Sequence, residues 1–147
     1  MLHASFNVSV VINSNLERVF AHVSDLSRHA EWSSDSLQIL PLSTGPIEVG
    51  SRYKSTAHSR AGTFAAELVV TDYDPPSRFG FSGEDATGKF RHNFKFVSDR
   101  NTTLVTREVQ LDLSFLQWLV FFILFYPVRI SAAKRALKSL KRLLESG

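Results

Sequence analysis

A run of apolar residues from Phe115 to Val128 passes directly into a basic segment whose leucines recur every three or four positions as far as Leu144. Short alternating segments fill most of the chain ahead of it, so one long terminal helix has to be buried against one sheet. At 147 residues the chain suits a single domain spanning 1–147, large enough to bury a real core. A sheet that curls around such a helix leaves a hollow between the two. Twelve Phe in so short a chain would line that hollow with rings, which suits an apolar ligand.

The terminal segment divides into two parts. Ala133, Ala136, Leu137, Leu140, Leu143 and Leu144 share one helical face, and Lys134, Arg135, Lys138, Lys141 and Arg142 share the other. Phe115 to Val128 is apolar nearly all round, which usually marks a buried helix. Its fourteen residues, at about 1.5 Å each, reach about 21 Å, short of the roughly 30 Å of a hydrocarbon core. Pro127 is expected to kink or break the helix, giving one segment over Ser114–Tyr126 and another over Val128–Glu145.

Ahead of the helix, Phe6, Val8, Val10 and Ile12 alternate with Asn7, Ser9 and Asn13, the period of a half-buried strand. Asn13 or Ser14 can cap a short helix carrying Leu16, Val19, Phe20 and Val23, and Ser24 or Asp25 a second short turn. From Leu37 to Asp112 the turn signals Thr44-Gly45-Pro46, Ala61-Gly62, Asp74-Pro75-Pro76-Ser77, Asp85-Ala86-Thr87-Gly88 and Asp99-Arg100-Asn101 separate about six further strands joined as hairpins. The expected fold is α+β: a curved antiparallel sheet of about seven strands around a long C-terminal helix, with two short helices after the first strand.

This order resembles the START-like helix-grip (SRPBCC) superfamily, in particular its polyketide cyclase/dehydrase-like branch. Residues 13–32, NSNLERVFAHVSDLSRHAEW, look like the family's opening, with a Val-Phe pair in the first helix and a Trp after the Asp-Leu turn. Gly45 to Tyr53 resembles its G-x-x-x-V-G-x-x-Y approach to the third strand, and Val70 to Phe81, VTDYDPPSRFGF, its Y-x-P-P-x-R hairpin. The resemblance covers nearly the whole chain, and its motifs are structural. It implies a ligand cavity and permits aromatase/cyclase or dehydrase chemistry, in which His92, Tyr53 or Arg107 would exchange protons or polarise a carbonyl.

The residues themselves suggest where such a cavity would be lined. On the strand Lys89 to Val97, Phe90, His92, Phe94 and Phe96 share one face. A buried His92 needs a partner, and Glu108, Gln110 or Asp112 on the next strand could supply it; His92 reads either as a satisfied core histidine or as a polar ligand anchor. Arg107 and Glu108 are neighbours on a strand, so one of them points inward. Trp32 reads as core anchor or pocket wall, Tyr53 and Tyr73 as sheet filler or hydroxyl contacts. Phe81, Trp118 and Phe122 complete the candidate lining.

Several functions are disfavoured. The chain has no Cys, and the five His at positions 3, 22, 29, 58 and 92 make no metal-ligand spacing. There is no G-x-S-x-G elbow and no Gly-rich phosphate loop, so neither a metal nor another cofactor is expected. Residues 129–147 hold six of the seventeen Lys and Arg and one of the fourteen acids. That basic face lacks interleaved aromatics, so nucleic acid is not an expected partner. The expected partner is a hydrophobic small molecule, with a peripheral membrane contact or a homodimer as further options for Phe115 to Val128. The N-terminus has no basic, apolar leader, and the lack of Cys fits a reducing compartment, so a cytoplasmic setting, membrane-peripheral if that segment meets lipid, is the expectation.

Overall fold

The computed structural model describes residues 2–33, 36–60, 62–85, 88–120, 123–124 and 126–146. Strand β1 (Leu2–Ile12) leads into α1 (Leu16–Ser24) and a 3-10 helix (Leu26–Glu31). Six strands follow: β2 (Ser36–Pro41), β3 (Arg52–Ser59), β4 (Gly62–Asp74), β5 (Arg78–Asp85), β6 (Gly88–Asp99) and β7 (Thr102–Leu113). Helices α2 (Phe115–Val120) and α3 (Tyr126–Glu145) end the chain. The seven strands form one antiparallel sheet in the order β1-β7-β6-β5-β4-β3-β2, so all neighbours are sequential hairpins except β1, which pairs with β7. This is the α+β helix-grip architecture expected from the strand and helix order.

Local chemistry sets the element boundaries. Asn15, not Asn13 or Ser14, caps α1, its side chain accepting from the Arg18 N–H at 2.9 Å. Ser14 is instead buried, and its carbonyl accepts from the Thr103 hydroxyl at 2.9 Å. Asp25 caps the 3-10 helix by accepting from the Ser27 N–H at 3.2 Å. At the start of α2, Ser114 and Gln117 cap each other reciprocally, at 3.3 and 3.0 Å. The β6–β7 turn places Arg100 in the left-handed region at φ 57°. The Ala61 turn and the Ala86-Thr87 turn lie outside the described residues.

Alternate residues of every strand face one core. Phe6, Val8 and Ile12 of β1, Phe79 and Phe81 of β5, Phe94 and Phe96 of β6, and Val105 and Val109 of β7 are buried. Helix α3 packs on β1 through Ala133, Ala136, Leu137, Leu140 and Leu144, all buried, while Leu143 is half-buried. Its basic residues Lys134, Arg135, Lys138 and Arg142 face solvent.

Two expectations for the apolar run need correction. Two helices are present as expected, α2 ending at Val120 and α3 beginning at Tyr126, but Pro127 is not the point of division: it lies in the first turn of α3, where proline is tolerated. Nor is the run buried: Phe115 and Leu116 are each 69% exposed, Ile123 67% and Leu124 63%. Helix α2 is six residues long, touches β1 and β7, and has no buried residue. No helix among the described residues is long and apolar enough to cross a membrane.

Candidate functional site

Helix α3 touches the sheet along β1, and between its other flank and the sheet lies a pocket of about 220 Å³. All seven strands contribute to its wall, from Phe6 on β1 to Leu37 and Ile39 on β2. Opposite edges of the sheet can meet one pocket only if the sheet wraps. Ala132, Ala133 and Ala136 form the helical side, and their small side chains leave the space open. A larger hollow, about 620 Å³, lies on the outer face among His3, Glu67, Glu84, Lys89, Arg91 and Asp112. There Arg52 pairs with Glu67 and His3 with Asp112, so it is a polar groove in which two of the acids already have partners.

The polar part of the pocket comes from β6, β7 and the 3-10 helix. His92 pairs with Val109 across the β6–β7 ladder and Phe94 with Arg107, so both polar residues point inward. The Arg107 guanidinium donates to His92 Nδ1, with Nη2 at 2.9 Å and Nε at 3.3 Å. A guanidinium cannot accept, so Nδ1 is the acceptor and the His92 proton sits on Nε2. Burial holds His92 well below its usual range, with Arg107, His29 and Arg129 adding to the effect. Burial also pulls Arg107 down to about 10, which leaves it cationic at neutral pH.

Glu108, Gln110 and Asp112 are not the partners of His92. Their cross-strand neighbours are Asn93, Arg91 and Lys89, all on the outer face, and Glu108 there accepts from Asn93 at 3.2 Å and from Gln110 at 2.7 Å. It is Arg107 that faces the pocket.

Rings surround this pair. Phe81 stacks on His92 at 4.9 Å with planes 5° apart, and Phe90 meets it edge-on at 5.7 Å. The Arg107 guanidinium carbon lies 5.5 Å from the Phe94 centroid and 5.8 Å from that of Trp32. His29 packs against Trp32 at 4.2 Å and lines the pocket. Burial, reinforced by Arg107, pushes His29 down to about 3. His29 Nδ1 and Trp32 Nε1 are both buried without a hydrogen-bond partner. Gly83 gives Phe90 its place: a Cβ there would lie 2.5 Å from the ring's Cζ and 2.7 Å from Leu68 Cδ2.

Of the residues singled out in the sequence, Phe81, Phe90, His92 and Arg107 line the pocket. Trp32 and Phe94 lie buried behind His29 and Arg107. Tyr53 and Tyr73 are not in the wall. Tyr53 is buried toward the end covered by α1 and the 3-10 helix, where burial, then Asp25 and Tyr73, raise its phenol. The irregularity between Val70 and Asp72 turns Tyr73 toward Phe20, at 5.7 Å. Trp118 is half-buried on α2, stacked with Phe115 at 6.5 Å, and Phe122 lies outside the described residues.

His29 and Arg129 are wall residues that the sequence did not single out. The signal for His29 was its spacing: Leu26, His29 and Trp32, three apart, are all buried, as one side of a 3-10 helix requires. No group of His and acids among the described residues could hold a metal ion.

The chain belongs to the family described as polyketide cyclase / dehydrase and lipid transport, which matches residues 3–145. Solved structures share its fold at low identity. A Thermus thermophilus protein superposes with a TM-score of 0.76 at 16% identity, covering 96% of this chain and 97% of that one. A Chromobacterium violaceum protein gives 0.74 at 16%, covering 97% and 98%. The di-domain ARO/CYC protein StfQ from the steffimycin biosynthetic pathway gives 0.71 at 11%, covering 95% of this chain and 44% of that one. No curated protein matches the sequence.

Proposed function

We propose that the chain binds a hydrophobic small molecule, such as a lipid or polyketide, in the pocket between the sheet and α3. The observation that carries this reading is the opposition of Phe64, Leu68, Phe81 and Val109 to Ala132, Ala133 and Ala136, whose short side chains cannot fill the gap. Binding there requires no acid or base. Uptake of an environment-sensitive dye, displaced by a fatty acid, tests it. Ala133→Trp should fill the space and abolish uptake while far-UV circular dichroism stays native; unchanged uptake by that variant contradicts the reading.

A second reading, an aromatase/cyclase- or dehydrase-type enzyme, is favoured by one feature, the neutral His92 fixed by Arg107 in the wall. The pocket would fold a reactive poly-ketone chain, His92 would exchange protons with it and Arg107 would polarise a carbonyl. Turnover that survives His92→Ala unchanged would count against that role.

The exposed apolar residues Phe115, Leu116, Ile123, Leu124 and Val128, followed by exposed Arg129, Lys134 and Arg135, support a further role at an anionic membrane surface. Such a protein would work at the cytoplasmic face of a membrane. Sedimentation with phosphatidylserine-containing vesicles should carry the protein down at low salt and release it at high salt. Failure to sediment, with a dimer in ultracentrifugation, would assign the patch to self-association instead.

A further inference from the structure

Arg107 is 7% exposed, yet no carboxylate among the described residues lies within ion-pair distance of it. A buried cation without a counter-charge is costly, and folded proteins normally supply the partner themselves. Here the partners are a neutral imidazole and two ring faces. His92 Nδ1 takes the Nε and Nη2 contacts, and the guanidinium makes no other hydrogen bond among the described residues. Asp85 also lines the pocket.

A second cation and a neutral imidazole stand in the same wall. Arg129 lines the pocket from α3, and His29 lines it from the 3-10 helix with a buried Nδ1 that has no partner. Away from this polar corner, Leu37, Ile39, Phe64, Leu68 and Leu111 make the wall apolar. One side of the pocket therefore carries the Arg107 and Arg129 guanidinium groups and the other offers hydrocarbon.

We propose that the ligand is an apolar molecule bearing an oxyanion head, a carboxylate or an enolate, held by Arg107 with its body along the Leu37–Leu68 side of the pocket. This rests on the reading that the pocket binds an apolar small molecule, and it adds the chemistry of the head. The incoming oxyanion supplies the counter-charge that the fold omits, and charge-assisted bonds to a planar guanidinium fix its orientation.

The test is a calorimetric titration of the protein with decanoate, decanol and decyltrimethylammonium, which share a tail and differ in head. Decanoate should bind at least about tenfold more tightly than decanol, with decyltrimethylammonium weakest. Arg107→Met should remove the preference for decanoate while retaining decanol binding, and Arg107→Lys should keep most of it. Because the guanidinium has no carboxylate partner to leave behind, Arg107→Met should also melt at the same or a higher temperature. Equal binding of the three ligands, or a preference that survives Arg107→Met, overturns the proposal and leaves the pocket reading intact. Binding of none of the three overturns the pocket reading, and this proposal with it.

Discussion

Two histidines face the pocket as neutral imidazoles because they are buried, with Arg107 beside both adding to the effect, and this has a consequence for acid stability. Folded His29 lies at about 3 and His92 well below its usual value, whereas in the unfolded chain both return to about 6.5. Above that value neither state takes up protons at these sites, and the native state keeps its full stability. Below it the unfolded chain gains protons that the folded chain refuses, so stability falls as pH drops from about 6.5 toward about 3, by up to about 1.4 kcal/mol per pH unit for each histidine. Urea titrations between pH 7 and 4 should show this loss, and His29→Phe should make it shallower. A glycine makes a second case: Gly83→Ala should push the Phe90 ring and the Leu68 methyl into the pocket that both line. Dye affinity should fall about tenfold, and folding stability by up to the roughly 1–3 kcal/mol usual for overpacking.

Among the elements, α3 and the segment before it have opposite characters. Leu140 is fully buried between α3 and the sheet, so Leu140→Ala should cost about 2–5 kcal/mol in chemical denaturation. Pro127 lies in the first turn of the same helix, where proline is tolerated, and Pro127→Ala should change stability by less than about 1 kcal/mol. A large loss from Pro127→Ala would mean that the proline fixes the angle between α2 and α3. The strand β7 shows how much a single register decides. Val109, Leu111 and Leu113 alternate with Gln110 and Asp112, and carrying that alternation back through an unbroken ladder puts Arg107 inward and Glu108 outward. The sequence contained this answer, but only if the strand had no bulge, and a bulge does occur in β4. Pairing with β6 settled the matter, because Phe94 opposite Arg107 is itself inward.

Across the whole molecule, strand periodicity and turn residues were enough to read seven strands and a terminal helix, since each signal is local. Features set by distant contacts were not legible. The apolar run 115–120 has the composition of a core helix, yet none of its residues is buried where it packs beside β1 and β7. His29 and Arg129 reach the pocket through the docking of their helices, which no pattern within either segment specifies. Phe81, Phe90, His92 and Arg107 were legible because strand alternation fixes which face a side chain occupies once the sheet has a single interior. The central claim is that this interior keeps an unfilled apolar space with a positive corner. Methyl-resolved NMR during titration with decanoate tests it most directly. Shifts should concentrate on Leu37, Ile39, Leu68 and Val109 and saturate at one equivalent; shifts confined to α2 or the outer groove, or none at all, would contradict the account.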